Sequence, residues 1–222
     1  MQRFVVVGLG HFGSWVAQAL HQQGHEVIAI DPDGAVVDRH ATLVTRGVVG
    51  DATDIELLRQ VGADAADAAV VSTGENLAVS ALALQALRDL GVKEIYVKVA
   101  SADAARLFQT LDATDTVFPE REVALRLAHR ITSKAVFDYL PLGKGYSLQE
   151  IAIPDAWIGK SLRELALPRT HGLNVVALYD VLGDRLIPVP DADAPLKESD
   201  LAIVVGRDDA IAALLRGRTA KQ

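Results

Sequence analysis

From Arg3 to about Thr116 short, β-branched apolar runs alternate with stretches of helical period. Strands are predicted at Phe4 to Val7, Val27 to Ile30, Leu43 to Val49, Ala69 to Ser72, Ile95 to Val99 and Thr116 to Phe118. Helices are predicted at Phe12 to Gln23, Ile55 to Val61, Asn76 to Leu90 and Ala102 to Leu111; in the third, Leu77, Ala81, Leu84 and Ala86 or Leu87 recur at helical spacing. Near-continuous apolar strands separated by helices imply an α/β fold, a doubly wound parallel sheet buried on both faces.

Glu120 to Phe137 reads as one further long helix, with Leu127, Ala128, Ile131, Ala135 and Val136 on a broad apolar stripe. Then DYLPLGKG, Asp138 to Gly145, interrupts the pattern with one proline and two glycines, and a domain boundary is expected at 138/139. Beyond it, strands are predicted at Tyr146 to Ile153, Val175 to Tyr179, Arg185 to Val189 and Ala202 to Val205, with a turn at Leu182-Gly183-Asp184. Short helices at Leu162 to Ala166 and Asp209 to Leu215 complete a small α+β lobe.

Candidate chemistry concentrates where the first strand ends. Gly8, Gly10 and Gly13 form G-x-G-x-x-G at the mouth of a helix, with His11 and Phe12 between the last two glycines. The first glycine allows the tight turn, the second lets a phosphate approach the backbone, and the third lets helix and strand pack closely. A helix N-terminus favours an anion there. Asp31 closes the second strand, where a carboxylate accepts ribose hydroxyls and repels a 2′-phosphate. The series is that of a Rossmann-like nucleotide site. Asp51, Ala52 and Thr53 follow the third strand, and Thr73, Gly74, Glu75 and Asn76 follow the fourth, so both segments fall at the ligand edge of the sheet. They fit base and ribose contacts, and Thr53, Asp54 and Asn76 equally fit helix N-caps.

Composition narrows the function classes. Acidic residues number 29 against 22 basic, a net charge of −7, which argues against broad nucleic-acid binding, and no basic helix-turn-helix face stands out. Cysteine is absent, which excludes disulfides and thiolate metal sites and fits a cytoplasmic protein. No apolar run approaches the roughly 18 residues of a membrane helix, and the N-terminal run continues into the first strand rather than a cleavage site. A dehydrogenase needs a positioned proton donor; the C-terminal lobe offers one histidine, His171, in a predicted loop, while His21, His25, His40 and His129 show no metal-ligand spacing. Gly159-Lys160-Ser161 lacks the earlier glycine of a phosphate loop, since position 154 is Pro, and Ser161 to Glu164 fits a capping box.

Taken in order, GLGHFG, VIAID, DATD, STGEN, YVKVAS, LDATDTVFPEREVALRLAHRI, YLPLGKG, IGKSLRELAL and LAIVVGRDDAI resemble the cytosolic gating subunits of Ktr and Trk potassium uptake systems over nearly the whole chain. The resemblance implies an RCK protein: a nucleotide-binding Rossmann domain with a crossover helix used for dimerisation, 1–138, and an RCK C-terminal lobe, 139–222. It implies homodimers arranged as a homo-octameric ring, cytoplasmic and peripheral on the inner membrane face through an integral-membrane KtrB/TrkH-type potassium transporter. The implied regulatory ligand is ATP, ADP or NAD(H), with no catalysis. Position by position, the resemblance assigns Gly8, Gly10 and Gly13 to the phosphate turn, Asp31 to the ribose, Asp51 to Thr53 to the adenine side and Lys98 to the pocket edge. It assigns Glu120 to a divalent cation, Mg or Ca, beside the nucleotide phosphates. Many relatives have Arg where this chain has His11, which weakens discrimination of ATP from ADP. A small NAD(H)-dependent oxidoreductase is the alternative reading, and the C-terminal lobe is a place for a second ligand such as a cyclic dinucleotide.

Overall fold

The computed structural model describes residues 1–74, 76–132 and 135–216. The chain divides into two compact units, Met1–Glu120 and a second beginning at Arg121. Among the described residues, no helix is long and apolar enough to cross a membrane.

In the first unit, β1 (Arg3–Val7), α1 (His11–Gln22), β2 (Glu26–Asp31), α2 (Gly34–His40), β3 (Arg46–Val49), α3 (Ile55–Gln60), β4 (Ala68–Val71), α4 (Leu77–Asp89), β5 (Glu94–Lys98), α5 (Ala102–Thr110) and β6 (Asp115–Val117) follow one another, and α6 (Pro119–Thr132) begins at its end. The six strands are all parallel in the order β3-β2-β1-β4-β5-β6. This is the Rossmann-like doubly wound sheet that the alternating pattern predicts.

Alternation along β1 sends its side chains into two cores. Val5 and Val7 join Leu58, Leu84, Leu87 and Phe108 of α3, α4 and α5, while Val6 joins Ala17 of α1 and Val37 of α2. Each fully buried Leu, Val or Phe contributes about 1.5–3 kcal/mol, so both faces hold the sheet in place. The order reverses between β1 and β4, and the crevice above a reversal is where such sheets receive ligands.

The second unit is an antiparallel sheet, ordered β10-β9-β11-β8-β7, with short helices. Its elements are β7 (Val136–Gly143), β8 (Tyr146–Ala152), α7 (Leu162–Leu165), α8 (Leu167–Thr170), β9 (Asn174–Asp180), β10 (Arg185–Ile187), β11 (Asp200–Arg207) and α9 (Asp208–Arg216). Ile151, Ile153, Trp157, Leu167, Leu173, Val204 and Ile211 form its core. The capping box expected at Ser161 is present: the Ser161 hydroxyl accepts from the Glu164 amide, and Glu164 accepts from the Ser161 amide at 2.8 Å.

Several elements differ from the sequence expectation. The long helix does not run to Phe137: α6 ends at Thr132, Ser133 and Lys134 lie outside the described residues, and Val136 and Phe137 open β7. DYLPLGKG is accordingly not a plain linker, because residues 138–143 pair with β8. The cause is a register shift between Val136 and Asp138, which leaves Val136 and Tyr139 as the strand's buried residues three apart, a spacing that mimics a helix. Helix α2 was not among the predicted elements; Asp33 caps it, accepting from the Ala35 amide at 2.8 Å. Strand β3 starts at Arg46, with Leu43 and Val44 in the turn before it.

Candidate functional site

A cleft of about 410 Å³ opens where β1 to β4 end. Each strand contributes its last residue or the loop beyond it. Val7, Gly8 and Gly10 come from β1 and its turn, Ile30, Asp31 and Pro32 from β2, Gly50, Asp51 and Ala52 from the loop after β3, and Ser72, Thr73, Gly74 and Asn76 from the loop after β4, with Val79 on α4.

The three glycines act by different physics. Gly8 has φ +88°, and a Cβ there would lie 2.2 Å from the Ser72 carbonyl oxygen, so only glycine lets β1 turn beside β4. At Gly13 a Cβ would lie 1.9 Å from the Gly8 carbonyl oxygen: α1 rests directly on the turn. Gly10 differs, because a Cβ there meets nothing within 4 Å. It faces the cleft, and the space above it is open to a ligand atom. Gly10 is also the N-cap of α1, gives the helix no side-chain cap, and the first turn carries no acidic residue. The leading main-chain N–H groups are thus left to donate to an anion, supported by the helix dipole.

Asp31 ties the turn to β2. Its Oδ2 accepts from the Leu9 amide at 2.7 Å and its Oδ1 from the Asp33 amide at 2.9 Å. A carboxylate has about four acceptor sites, so two remain for ribose hydroxyls after these bonds. Asp51 accepts from the Thr53 amide at 2.9 Å and hydroxyl at 2.8 Å, and these bonds hold its carboxyl below its ordinary pKa. The N-cap alternative holds for two of the three residues: Asp54 caps α3 and Asn76 caps α4, whereas Thr53 serves Asp51. Asn76 both caps and lines the cleft. Thr73 is fixed by a 2.5 Å bond between its hydroxyl and that of Ser80, which donates to the Asn76 carbonyl.

Of the residues singled out by sequence, Gly8, Gly10, Asp31, Asp51, Ala52, Thr73, Gly74 and Asn76 line the cleft. Gly13 is buried under the turn, Phe12 is half-buried, Thr53 acts through Asp51, and His11 stands exposed as the first residue of α1. Lys98 and Glu120 form an ion pair at 2.6 Å outside the lining, and the hydrogen bond from Lys98 lowers the Glu120 pKa. No group of three or more His, Asp or Glu placed to hold a metal ion occurs among the described residues. Glu75 lies outside those residues. Sequence reasoning missed Val7, Ile30, Pro32, Gly50, Ser72 and Val79 as lining. All but Val79 adjoin residues it named, so the signal was strand-end position; Val79 required the packing of α4.

The chain matches the TrkA-N domain over residues 4–119 and the TrkA-C domain over residues 148–216. It is 36% identical over 205 residues to Ktr system potassium uptake protein C of Bacillus subtilis, covering 92% of each chain. It is 32% identical over 215 residues to Ktr system potassium uptake protein A of Vibrio alginolyticus, covering 97% of each. Among solved structures, the GsuK RCK domain superposes with a TM-score of 0.66 at 17% identity over 97% of this chain and 47% of that one. A GsuK channel bound to NAD gives 0.64 at 18% identity, over 96% and 38%. These last likenesses concern the fold, and this chain spans less than half of either GsuK chain. A chain with both domains in sequence, similar to Ktr potassium uptake proteins along almost its whole length, belongs to the TrkA-N/TrkA-C family of Ktr-type potassium uptake proteins.

Proposed function

We propose that this chain is a nucleotide-sensing regulatory subunit of a Ktr-type potassium uptake system, binding an adenine nucleotide or NAD(H) in the cleft and passing its identity to a membrane transporter. The observation that carries this reading is the coincidence of an open phosphate seat at Gly10 with the ribose acid Asp31 in one cleft, in a chain related along 92% of its length to a Ktr uptake protein. The reading is of binding without turnover: among the described residues, the two carboxylates lining the cleft both accept main-chain bonds that build its turns.

In this reading the working parts are a nucleotide domain, 1–138, that includes the linking helix, and a C-terminal domain, 139–222. Subunits pair through α6, which exposes Val123, Leu125, Leu127 and Ile131, and pairs close into a homo-octameric ring under the KtrB/TrkH-type transporter. A ligand moves such a ring only through unequal affinity for its two shapes. A tenfold preference is about 1.4 kcal/mol per site, and about eight coupled sites sum to roughly 11 kcal/mol, enough to reverse a gate. For a divalent cation, Glu120 is the carboxylate nominated, and its ion pair with Lys98 competes with that role.

Two measurements test the proposal together. Calorimetry with adenine nucleotides and NAD(H) should show binding that Gly10→Asp abolishes. Potassium uptake by cells carrying the chain with its transporter should respond to the same substitution. If the folded protein binds none of these ligands, the reading falls.

A further inference from the structure

Strand β7 is held in the second unit's sheet from one side only. It is an edge strand, paired with β8, and its register slips twice, between Val136 and Asp138 and between Pro141 and Gly143. Along it only Val136 and Tyr139 are buried, and Pro141 has no N–H to give to the ladder. A segment with few buried contacts and an interrupted ladder opens at low cost. Asp138 of β7 stands directly opposite Glu150 of β8, which puts both carboxylates on the same face of the sheet. With Tyr139, Leu140, Leu148 and Ile203 they line a cleft of about 130 Å³. Its lining carries no Lys, Arg or His among the described residues, and apolar walls screen the repulsion poorly. Asp138 accepts from the Tyr139 amide at 2.8 Å, whereas Glu150 has no hydrogen bond or ion pair among the described residues. On its other flank Glu150 faces Ile203 of β11, and the Tyr179 phenol of β9, which feels the Glu150 charge, is neutral below its raised pKa. Burial, and then the Asp138 charge, push the Glu150 carboxyl above its ordinary pKa.

We propose that Asp138 and Glu150 form a proton-operated clasp on β7: with both ionised their repulsion loosens the strand, and when Glu150 takes a proton from solvent its O–H donates to the Asp138 carboxylate and closes the strand onto β8. One proton thereby replaces a like-charge contact with a charge-assisted hydrogen bond. Because the folded pKa of Glu150 lies above the unfolded one, the stability it contributes is complete below the ordinary glutamate range and is lost as pH rises through the raised folded value. Acidification from neutral pH therefore tightens β7, the first strand the chain forms after α6. The clasp lies within the second unit and holds whether or not the first unit takes a nucleotide.

The test is amide hydrogen exchange of the full chain, read by mass spectrometry on peptides covering β7 and β8 at about pH 7.5 and about pH 4.5, with rates corrected for intrinsic exchange. Glu150→Gln keeps the shape, cannot ionise and still offers an N–H to Asp138. At about pH 7.5 its β7 amides should be about two- to fivefold better protected than those of the wild type, the range expected for a directly opposed like-charge pair. At about pH 4.5 that ratio should fall to about one, because the wild-type Glu150 is then protonated. Asp138→Asn, which removes the other charge, should likewise raise protection at neutral pH and narrow the difference on acidification. Equal protection of wild type and Glu150→Gln at neutral pH overturns the clasp, and so does a ratio that is the same at both pH values.

Discussion

Gly10 and Gly13 belong to one motif, yet the structure predicts opposite consequences for replacing them with alanine. At Gly13 the new methyl would lie 1.9 Å from the Gly8 carbonyl oxygen and 3.1 Å from its carbon, both main-chain atoms that no side-chain rotation can clear. Helix α1 must lift off the turn, and Ala17, buried beneath it with Val6 and Val27, must move as well. Overpacking of this severity costs about 1–3 kcal/mol. At Gly10 the methyl meets nothing within 4 Å, and φ −65° with ψ −174° is extended backbone open to alanine. Alanine there lowers the entropy of the unfolded chain, worth about 0.4–1 kcal/mol, and loses about 0.5–1 kcal/mol as a poorer N-cap, so the two offset to within about 0.6 kcal/mol. The same methyl occupies the space over the helix N-terminus and should weaken a bound phosphate by at least about tenfold, or 1.4 kcal/mol. Differential scanning fluorimetry should place Gly13→Ala about 2–12 °C below the wild type, at about 2–4 °C per kcal/mol, and Gly10→Ala within about 2 °C of it. Calorimetry should find ligand affinity lost in the stable Gly10→Ala protein. If Gly10→Ala binds as tightly as the wild type, or Gly13→Ala melts with it, the division of labour drawn from the geometry is wrong.

Asp31→Ala removes two main-chain hydrogen bonds to a charged acceptor as well as the ribose contact, so it should lower stability by about 2 kcal/mol and nucleotide affinity more than tenfold, measured by denaturant titration and calorimetry. The Glu120 carboxyl is held below its ordinary pKa by the Lys98 hydrogen bond, so the stability it contributes is present at neutral pH and is lost as pH falls below the ordinary glutamate range and through its lowered folded pKa. Denaturation between about pH 5 and 2 should therefore be steeper for the wild type than for Glu120→Gln, and parallel curves would refute the pair. Ser161→Ala breaks the capping box of α7 and should cost about 1 kcal/mol in the second unit while leaving nucleotide affinity unchanged; a loss of affinity would contradict the assignment of the site to the first unit.

Local rules made much of this protein readable before its structure. The parallel sheet is written in the alternation of apolar strands and helices, since strands buried on both faces must be apolar throughout. Gly8, Gly13 and Asp31 were legible because their constraints lie within one turn and one adjacent strand end, and Ser161 with Glu164 because a capping box spans four residues. Long-range arrangement was not. Lys98 and Glu120 were each singled out, but their union depends on β5 and α6 meeting beside β6. Val79 reaches the cleft only because α4 packs where it does, and Gly10 is distinguished from its sister glycines by the empty space around it. Strand β7 was hidden because a bulge gives it helical spacing, and pairing with β8 outweighs that local pattern. Sequence therefore determined the turns, caps and periodicities set by neighbours along the chain, and tertiary packing decided which distant side chains share a space and what charge that space contains.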